Sequence, residues 1–275
     1  MKKSIVLGNG ESRKWFNHDY LDYAIANIET WGCNAIYRDG RVNNLVAMDY
    51  AMQQEIYMSG YPIHNKCWFA NWNKVPIQAA EMMLLGFGIS SEFVHWPMSW
   101  LAKEVNSKLE CVISGKDPAI LEDRVSEMMK EFPHLDIKDL KLKMEKDMGI
   151  WITPVQEKDY VEKIQGYYGW SAGNTALSLA CEGGAKEIYL LGFDLSDYNL
   201  SFNNIYKGTD NYLPNSAKGF NPANWVVQMT YVFEKYRDSV FYWTDSSWES
   251  WADKFMPKNV KHIDKDEFMD KVGIF

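Results

Sequence analysis

A short apolar segment near the start of the chain, 5–7, runs directly into the loop Gly-Asn-Gly-Glu-Ser-Arg over residues 8–13. Glycines in such a turn let the backbone approach an anion closely, and free amide groups at the start of the next helix can bind phosphate. Ser12 can cap that helix, and Arg13 can add a bidentate phosphate contact. A tight strand-to-helix turn without a ligand explains the same pattern equally well. The candidate phosphate-binding residues of this loop are Gly8, Asn9, Gly10, Ser12 and Arg13.

The loop does not match the dinucleotide fingerprint G-x-G-x-x-G, because Arg13 stands at the position of the third glycine. This mismatch disfavours an NAD-dependent dehydrogenase. A secretory signal peptide is also disfavoured, because the apolar stretch stops at Gly8 and an apolar signal region needs roughly 7–15 residues.

Two acidic residues close short apolar segments and are the candidate catalytic carboxylates. Asp49 ends "NNLVAMD" and Asp194 ends "IYLLGFD". Each is a possible ligand for Mg²⁺ or for a ribose, and each is equally a possible cap for the following helix. We take Asp49 as the candidate metal ligand. Asn34 is too polar for the apolar segment that contains it unless its side chain reaches a ligand or neighbouring backbone.

A second candidate anion site lies at "GWSAGN", residues 169–174, where small residues open a predicted helix. Its candidate binding residues are Ser171, Ala172 and Gly173.

Short apolar segments alternate with helical segments along the chain. The predicted strands are 4–7, 31–37, 43–49, 67–72, 92–96, 186–195 and 239–245, and the predicted helices include 51–60, 117–132, 171–184 and 222–236. This alternation predicts an α/β fold, with a Rossmann-like, mostly parallel sheet and helices on both faces. We expect a single Rossmann-like domain over 1–275, with a charged helical insertion at 97–165. Ligands of such folds bind at the carboxyl ends of the strands.

A long polar segment, 196–221, follows the strand that ends at Asp194. Loops longer than about 12–15 residues in compact domains are usually functional or disordered. Because this one starts where a ligand should lie, we predict a lid over the ligand cleft, and a solvated excursion is the alternative. The hydroxyls of three tyrosines and one lysine cation would face the ligand, at Tyr198, Tyr206, Tyr212 and Lys207.

The composition excludes several classes of partner. A net charge of −8 and a pI near 5.2 give no positive field for nucleic acid or anionic lipid. No apolar run approaches the roughly 18 residues of a membrane span. The four cysteines form no C-x-x-C pair, which favours reduced thiols and a cytoplasmic protein. We expect a small-molecule substrate, and a homo-oligomer is compatible with the composition.

Three motifs together resemble two related protein families. They are "GNGES" near the start, "CNAIY" at 33–37, and "GNTALSLACEGGAKEIYLLGFD" over 173–194. Together the three motifs resemble those of the family 42 bacterial sialyltransferases, which include a G-N-G-P-S loop and a C-N-Q-F-Y strand. They also resemble the motifs of the 6-hydroxymethylpterin diphosphokinase-like domain (domain of unknown function 115), which has an acid at the position of Asp49 and the Asp-Leu pair that begins at Asp194.

The resemblance implies a nucleotide or nucleotide sugar, of the CMP or ATP type, contacted by Asn9, Ser12, Asn34 and the turn at 171–173. It leaves three hypotheses. The first is a nucleotide-dependent transferase, glycosyltransferase-like, that binds a nucleotide sugar. The second is a pterin-type diphosphokinase that uses ATP and Mg²⁺ through Asp49. The third is a nucleotide-binding protein without catalysis, because the catalytic His of the sialyltransferase pattern has no counterpart between His134 and His262.

Overall fold

The computed structural model describes residues 1–16, 18–76, 110–115, 126–127, 129–130, 150–154, 160–195, 201–219, 221–244 and 256–274. The chain divides into two compact units. The first unit comprises Met1–Met48, Asn65–Trp68 and Tyr167–Phe275, and the second comprises Asp49–His64 and Phe69–Gly166.

The described strands are β1 (Lys3–Leu7), β2 (Glu29–Cys33), β3 (Asn44–Ala47), β4 (Lys66–Ala70), β5 (Trp72–Pro76), β6 (Glu110–Gly115), β7 (Ile150–Pro154), β8 (Val161–Ile164), β9 (Glu187–Leu191), β10 (Val240–Thr244) and β11 (Val260–Ile263). The described α-helices are α1 (His18–Asn27), α2 (Tyr50–Met58), α3 (Ala172–Glu182), α4 (Ala223–Lys235) and α5 (Lys265–Val272). Short 3-10 helices cover Glu11–Arg13, Asn34–Arg38 and Tyr61–Ile63.

The first unit is built on a sheet in the order β11-β10-β9-β1-β2-β3-β4. The pairings from β11 to β3 are all parallel. The chain runs outward from β1 through β2 and β3, and it later re-enters on the other side of β1 at β9. This is the doubly wound arrangement, in which the strand order reverses between β1 and β9. The Rossmann-like, mostly parallel α/β fold predicted from the sequence is therefore confirmed.

The helices of the first unit bury apolar faces against this sheet. Helix α3 packs on β1, β2 and β3 and against α4, and α1 packs on β2. Helix α5 also packs on this unit, and its Phe268 is fully buried. The Phe268 ring contacts those of Trp15, Phe16 and Tyr189, because α5 is amphipathic despite its many charges.

Two predicted strands end earlier than their apolar patterns indicate. The predicted strand 31–37 stops at Cys33, because Asn34 adopts a left-handed conformation with φ of 52° and begins a 3-10 helix. The predicted strand 67–72 is divided by Asn71, whose φ is 48°, so that β4 ends before it and β5 begins after it. In both cases an asparagine in the left-handed conformation ends the strand, and the apolar pattern of the sequence does not indicate this turn.

The second unit contains α2 and a small antiparallel sheet in the order β5-β6-β7. Helix α2 is followed by Gly60, whose φ of 75° fits the expected glycine stop. We expected 97–165 to be a helical insertion. Its described residues form β6, β7 and β8, and only 126–127 and 129–130 are helical. The segments "ECVISG" and "IWITP" carry the β-branched residues that favour strands, and this local preference outweighs the charged composition around them.

None of the helices in the described ranges has the length and apolar character needed to cross a membrane.

Candidate functional site

The loops that follow β1 and β9 meet at the point where the strand order reverses. The Gly8 amide donates to the carbonyl of Leu191 at 2.8 Å, and the Gly10 amide donates to the carbonyl of Gly192 at 2.9 Å. A Cβ atom at Gly8 would lie 2.3 Å from the Gly192 oxygen, and one at Gly10 would lie 2.5 Å from the Asp194 carboxyl. The glycines of this loop therefore allow two segments of the chain itself to pack together.

Further amides of the same loop are also occupied. The Glu11 amide donates to Asn203 Oδ1 at 2.7 Å, and the Ser12 amide donates to Asp194 Oδ2 at 2.9 Å. We expected the amides at this turn to be free for phosphate. Instead, the amides of Gly8, Gly10, Glu11 and Ser12 bind acceptors inside the chain. These hydrogen bonds join the turn to the loop after β9 and to Asn203, and the sequence of the loop did not reveal them.

Arg13 is an interior residue of this site, with only 3% of its surface exposed. Its Nε donates to the Gly8 carbonyl, and its Nη2 reaches the Tyr206 hydroxyl at 2.8 Å and Asp39 Oδ2 at 3.3 Å. Burial raises the pKa of Tyr206, so its phenol stays protonated and donates to Asp39. Its guanidinium therefore stabilises the loop from within, and the phosphate contact of Arg13 stays a prediction.

Asp194 is the most informative carboxylate of the site. It is 8% exposed, and its Oδ2 accepts the Ser12 amide. Its other oxygen, Oδ1, is buried and has no hydrogen-bond partner among the described residues. An unpaired buried carboxylate oxygen is costly, so this one indicates a missing donor.

Three further buried polar atoms without a partner in the described ranges follow the same edge of the sheet. They are Ser12 Oγ after β1, Asn34 Oδ1 after β2, and Thr244 Oγ1 at the end of β10. Thr244 was missed in the sequence, although a polar residue at the end of a buried strand was a usable signal. Other buried polar atoms without a hydrogen-bond partner occur elsewhere in the described residues, and these follow the strand ends where doubly wound folds bind ligands.

The N-terminus of α3 opens on the same edge. Ser171 caps the helix by accepting the Asn174 amide at 3.2 Å. A Cβ at Gly173 would lie 3.7 Å from the Phe193 ring and 4.0 Å from Cys33 Sγ, which is ordinary contact. The first turn of α3, including Ala172, therefore lies beside the ends of β2 and β9, and its role as a second anion site stays a prediction.

Gln228 of α4 holds this turn in place. Its Oε1 accepts the Ser171 amide at 3.0 Å and the Asn174 side-chain amide at 3.1 Å, while its Nε2 donates to the Gly169 carbonyl at 3.1 Å. Gln228 is not among the site residues predicted from the sequence. Its only signal was a polar residue on the apolar face of a predicted helix.

The part of the predicted lid that the structure describes, 201–219, is named here the cover segment. It lies on the loops after β1 and β2: the Ile205 amide donates to the Asn9 carbonyl at 2.9 Å, and Arg38 donates to Thr209 Oγ1 at 2.8 Å. Lys207 pairs with Glu11 at 3.2 Å, so its cation is held by the chain. Tyr198 lies outside the described residues.

Both polar atoms of the Asn9 side-chain amide make hydrogen bonds that orient it. Its Nδ2 donates to the Tyr212 hydroxyl at 3.1 Å, and its Oδ1 accepts Cys33 Sγ at 3.6 Å. Both contacts lie at the carboxyl edge of the sheet. The cover segment therefore reaches the residues that the sequence analysis assigned to the ligand.

Asp49 belongs to the second unit, immediately before α2. It occupies the N-cap position, but its side chain does not accept a capping hydrogen bond. In the described parts of the chain no group of three or more His, Cys, Asp or Glu residues is arranged to hold a metal ion. The metal role of Asp49 therefore stays a prediction.

No protein-family model matches this sequence, and no curated protein matches it. Among solved structures, the sialyltransferase CstII from Campylobacter jejuni in complex with a substrate analogue, cytidine-5'-monophosphate, is 14% identical; the match covers 93% of this chain and 84% of that one, with a TM-score of 0.36. A crystal structure of a substituted form of the sialyltransferase CST-II in complex with CMP is 13% identical, over 99% of this chain and 98% of that one, with a TM-score of 0.40. TM-scores this low add nothing to the assignment of a ligand.

Proposed function

We propose that this protein is a nucleotide-dependent transferase that binds a nucleotide sugar at the carboxyl edge of its sheet, between the ends of β1 and β9. The observation that carries the proposal is the buried Asp194 carboxylate, which has one oxygen bound to the Ser12 amide and the other without a partner in the described ranges. The strand order reverses at this point, and doubly wound folds bind their ligands there.

The chemical groups at this edge suit different parts of a nucleotide. Asp194 Oδ1 is an acceptor only and suits a ribose or sugar hydroxyl, as an acidic residue does in dinucleotide-binding folds. The first turn of α3 suits a phosphate, because helix N-termini favour anions. The residues proposed to contact the nucleotide are Gly8, Asn9, Gly10, Ser12, Asn34, Ser171, Ala172 and Gly173.

The proposed reaction is transfer of a glycosyl group, supported by the resemblance of "CNAIY" at 33–37 to the sialyltransferase motif. Such a transfer needs a general base for the acceptor hydroxyl, and a positioned carboxylate can take that proton. The candidates for this role are Asp194 and Asp49. We expect the ligand to be a nucleotide or nucleotide sugar of the CMP or ATP type, and comparing affinities with and without MgCl₂ tests whether Asp49 holds a metal.

We expect Asp194→Asn to weaken CMP binding by about ten- to a hundredfold, since hydrogen bonds to charged groups contribute about 1.5–3 kcal/mol. The asparagine keeps an oxygen for the Ser12 amide, but its NH₂ group then meets the hydroxyl donor of the ligand. Isothermal titration calorimetry with CMP measures the loss, after a thermal-shift comparison of CMP, other nucleotides and ATP with MgCl₂.

Asp264→Asn is the matched control, because the Asp264 carboxylate accepts the Glu267 amide at 2.8 Å at the start of α5. Asn and Asp cap helices about equally well, so this variant should bind CMP as the parent does. If Asp194→Asn bound every nucleotide with parental affinity, the proposed site would be wrong.

A further inference from the structure

The Tyr212 hydroxyl fills a position between two donors at the carboxyl edge of the sheet. It accepts Asn9 Nδ2 at 3.1 Å and the Ala35 amide at 3.3 Å. Asn9 follows β1, and Ala35 follows β2. A single oxygen from the cover segment thus satisfies donors from two separate strand-end loops, as an oxygen of a bound ligand would.

The position of Tyr212 is set by a compact turn of the cover segment. The Gly208 amide donates to the Leu213 carbonyl at 2.7 Å, and the Tyr212 amide donates to the Thr209 carbonyl at 3.1 Å. The rings of Tyr212 and Tyr206 have their centroids 5.5 Å apart. Tyr212 is therefore presented to its two donors by the fold of the turn.

The two tyrosines hold the cover segment with different strength. Tyr206 is 6% exposed and bonds to the buried Arg13 and to Asp39. Tyr212 is only half-buried, and the residues on either side of it are exposed or half-buried. Because less surface must be opened around Tyr212, its contacts should break before those of Tyr206.

We propose that Tyr212 is an internal competitor of the ligand: its hydroxyl occupies the place of a ligand oxygen on Asn9 and Ala35, and the ligand gains those donors only when Tyr212 withdraws. This inference rests on the proposed function. A protein whose binding-competent state is partly populated shows an affinity lowered by that fraction. The cover segment therefore lowers the affinity of the resting protein for its nucleotide.

The variant Tyr212→Phe removes the hydroxyl and keeps the ring against Tyr206 and near Arg38. Without ligand, we expect hydrogen exchange, measured by mass spectrometry, to become about two- to tenfold faster at Ala35 and within 201–219, the range set by one net hydrogen bond. Tyr189→Phe is the matched control, because it removes a hydroxyl that reaches Glu187 within β9. This control should leave the exchange of the cover segment unchanged.

The second measurement is the affinity for CMP by calorimetry. The competition predicts that Tyr212→Phe binds CMP about two- to tenfold more tightly than the parent, by the same hydrogen-bond magnitude. Weaker binding would overturn the proposal, because Tyr212 would then contribute to the bound state. Unchanged exchange at Ala35 in the ligand-free variant would overturn it independently of any nucleotide.

The two proposals fail in distinguishable ways. If neither the parent nor Tyr212→Phe binds CMP or another nucleotide, the proposed function is wrong and the competition is overturned with it. If both bind CMP with equal affinity and Asp194→Asn does not, the nucleotide site stands and the competition alone is overturned.

Discussion

Gly8→Ala is expected to destabilise the protein by about 3 kcal/mol, at the upper end of the range for overpacking in a tightly packed region. The added Cβ would lie 2.3 Å from the Gly192 carbonyl oxygen, and that oxygen belongs to backbone that pairs with the Gly10 amide. Neither loop can yield without moving the end of β1 or β9. For a chain of this size the melting temperature should fall by roughly 5–10 °C, as measured by differential scanning calorimetry.

Gly173→Ala is the matched control, because it adds the same methyl group at the same edge of the sheet. Its nearest neighbours would be the Phe193 ring at 3.7 Å and Cys33 Sγ at 4.0 Å, and the position is helical. Alanine is favoured over glycine in a helix by about 1 kcal/mol, so this variant should be at least as stable as the parent. Equal stability of the two variants would show that the glycine loop is not closed on β9.

Arg13→Lys is expected to lower the free energy of unfolding by about 2–3 kcal/mol, because lysine does not reproduce the fork of a buried arginine. The variant loses the hydrogen bond from Arg13 Nε to the Gly8 carbonyl. It also loses the planar group whose Nη2 contacts both Tyr206 and Asp39. Urea denaturation followed by tryptophan fluorescence measures the change. Part of this loss in stability comes from the cover segment, because Arg13 binds its Tyr206.

Arg237→Lys tests whether the loss is specific to the interior. Arg237 is exposed, and its Nε donates to the Glu234 carbonyl at 3.2 Å, as that of Arg13 does to Gly8. Exposed substitutions of this kind change stability by less than about 0.5 kcal/mol. If Arg13→Lys kept parental stability and lost affinity for CMP, the result would support the phosphate contact that the sequence predicts for Arg13.

The sequence by itself determined several of the elements that form the first unit, but not every place where they end. The apolar segment before Gly8, the helix that opens at Ser171 and the strand that leads to Asp194 were all readable in a window of a few residues. Periodicity and turn residues are local, so β1, α3, β9, α4 and β10 could be predicted along with the Rossmann-like class. The local pattern also singled out Asn34 and Asp194, and among the described residues the structure leaves a buried oxygen of each without a hydrogen-bond partner.

The described residues of the insertion include strands that its composition did not indicate, and the helical insertion as a whole stays a prediction. The charged residues of 97–165 suggested helices, and the described segments there pair as the antiparallel strands β6 and β7. Strand formation depends on the partner across the sheet as well as on the residues of the strand itself. A single sequence does not identify that partner.

Only the tertiary structure decided what the loop residues are for. The sequence offered Gly8 and Arg13 as phosphate contacts, and the structure gives both of them partners inside the chain, the Leu191 carbonyl for the Gly8 amide and the Tyr206 hydroxyl for Arg13. It likewise joined Tyr212 to Asn9, two residues far apart along the chain. The physical reason is that a donor or a close approach is satisfied by whichever group the fold brings near, and local patterns carry no information about which distant group that will be.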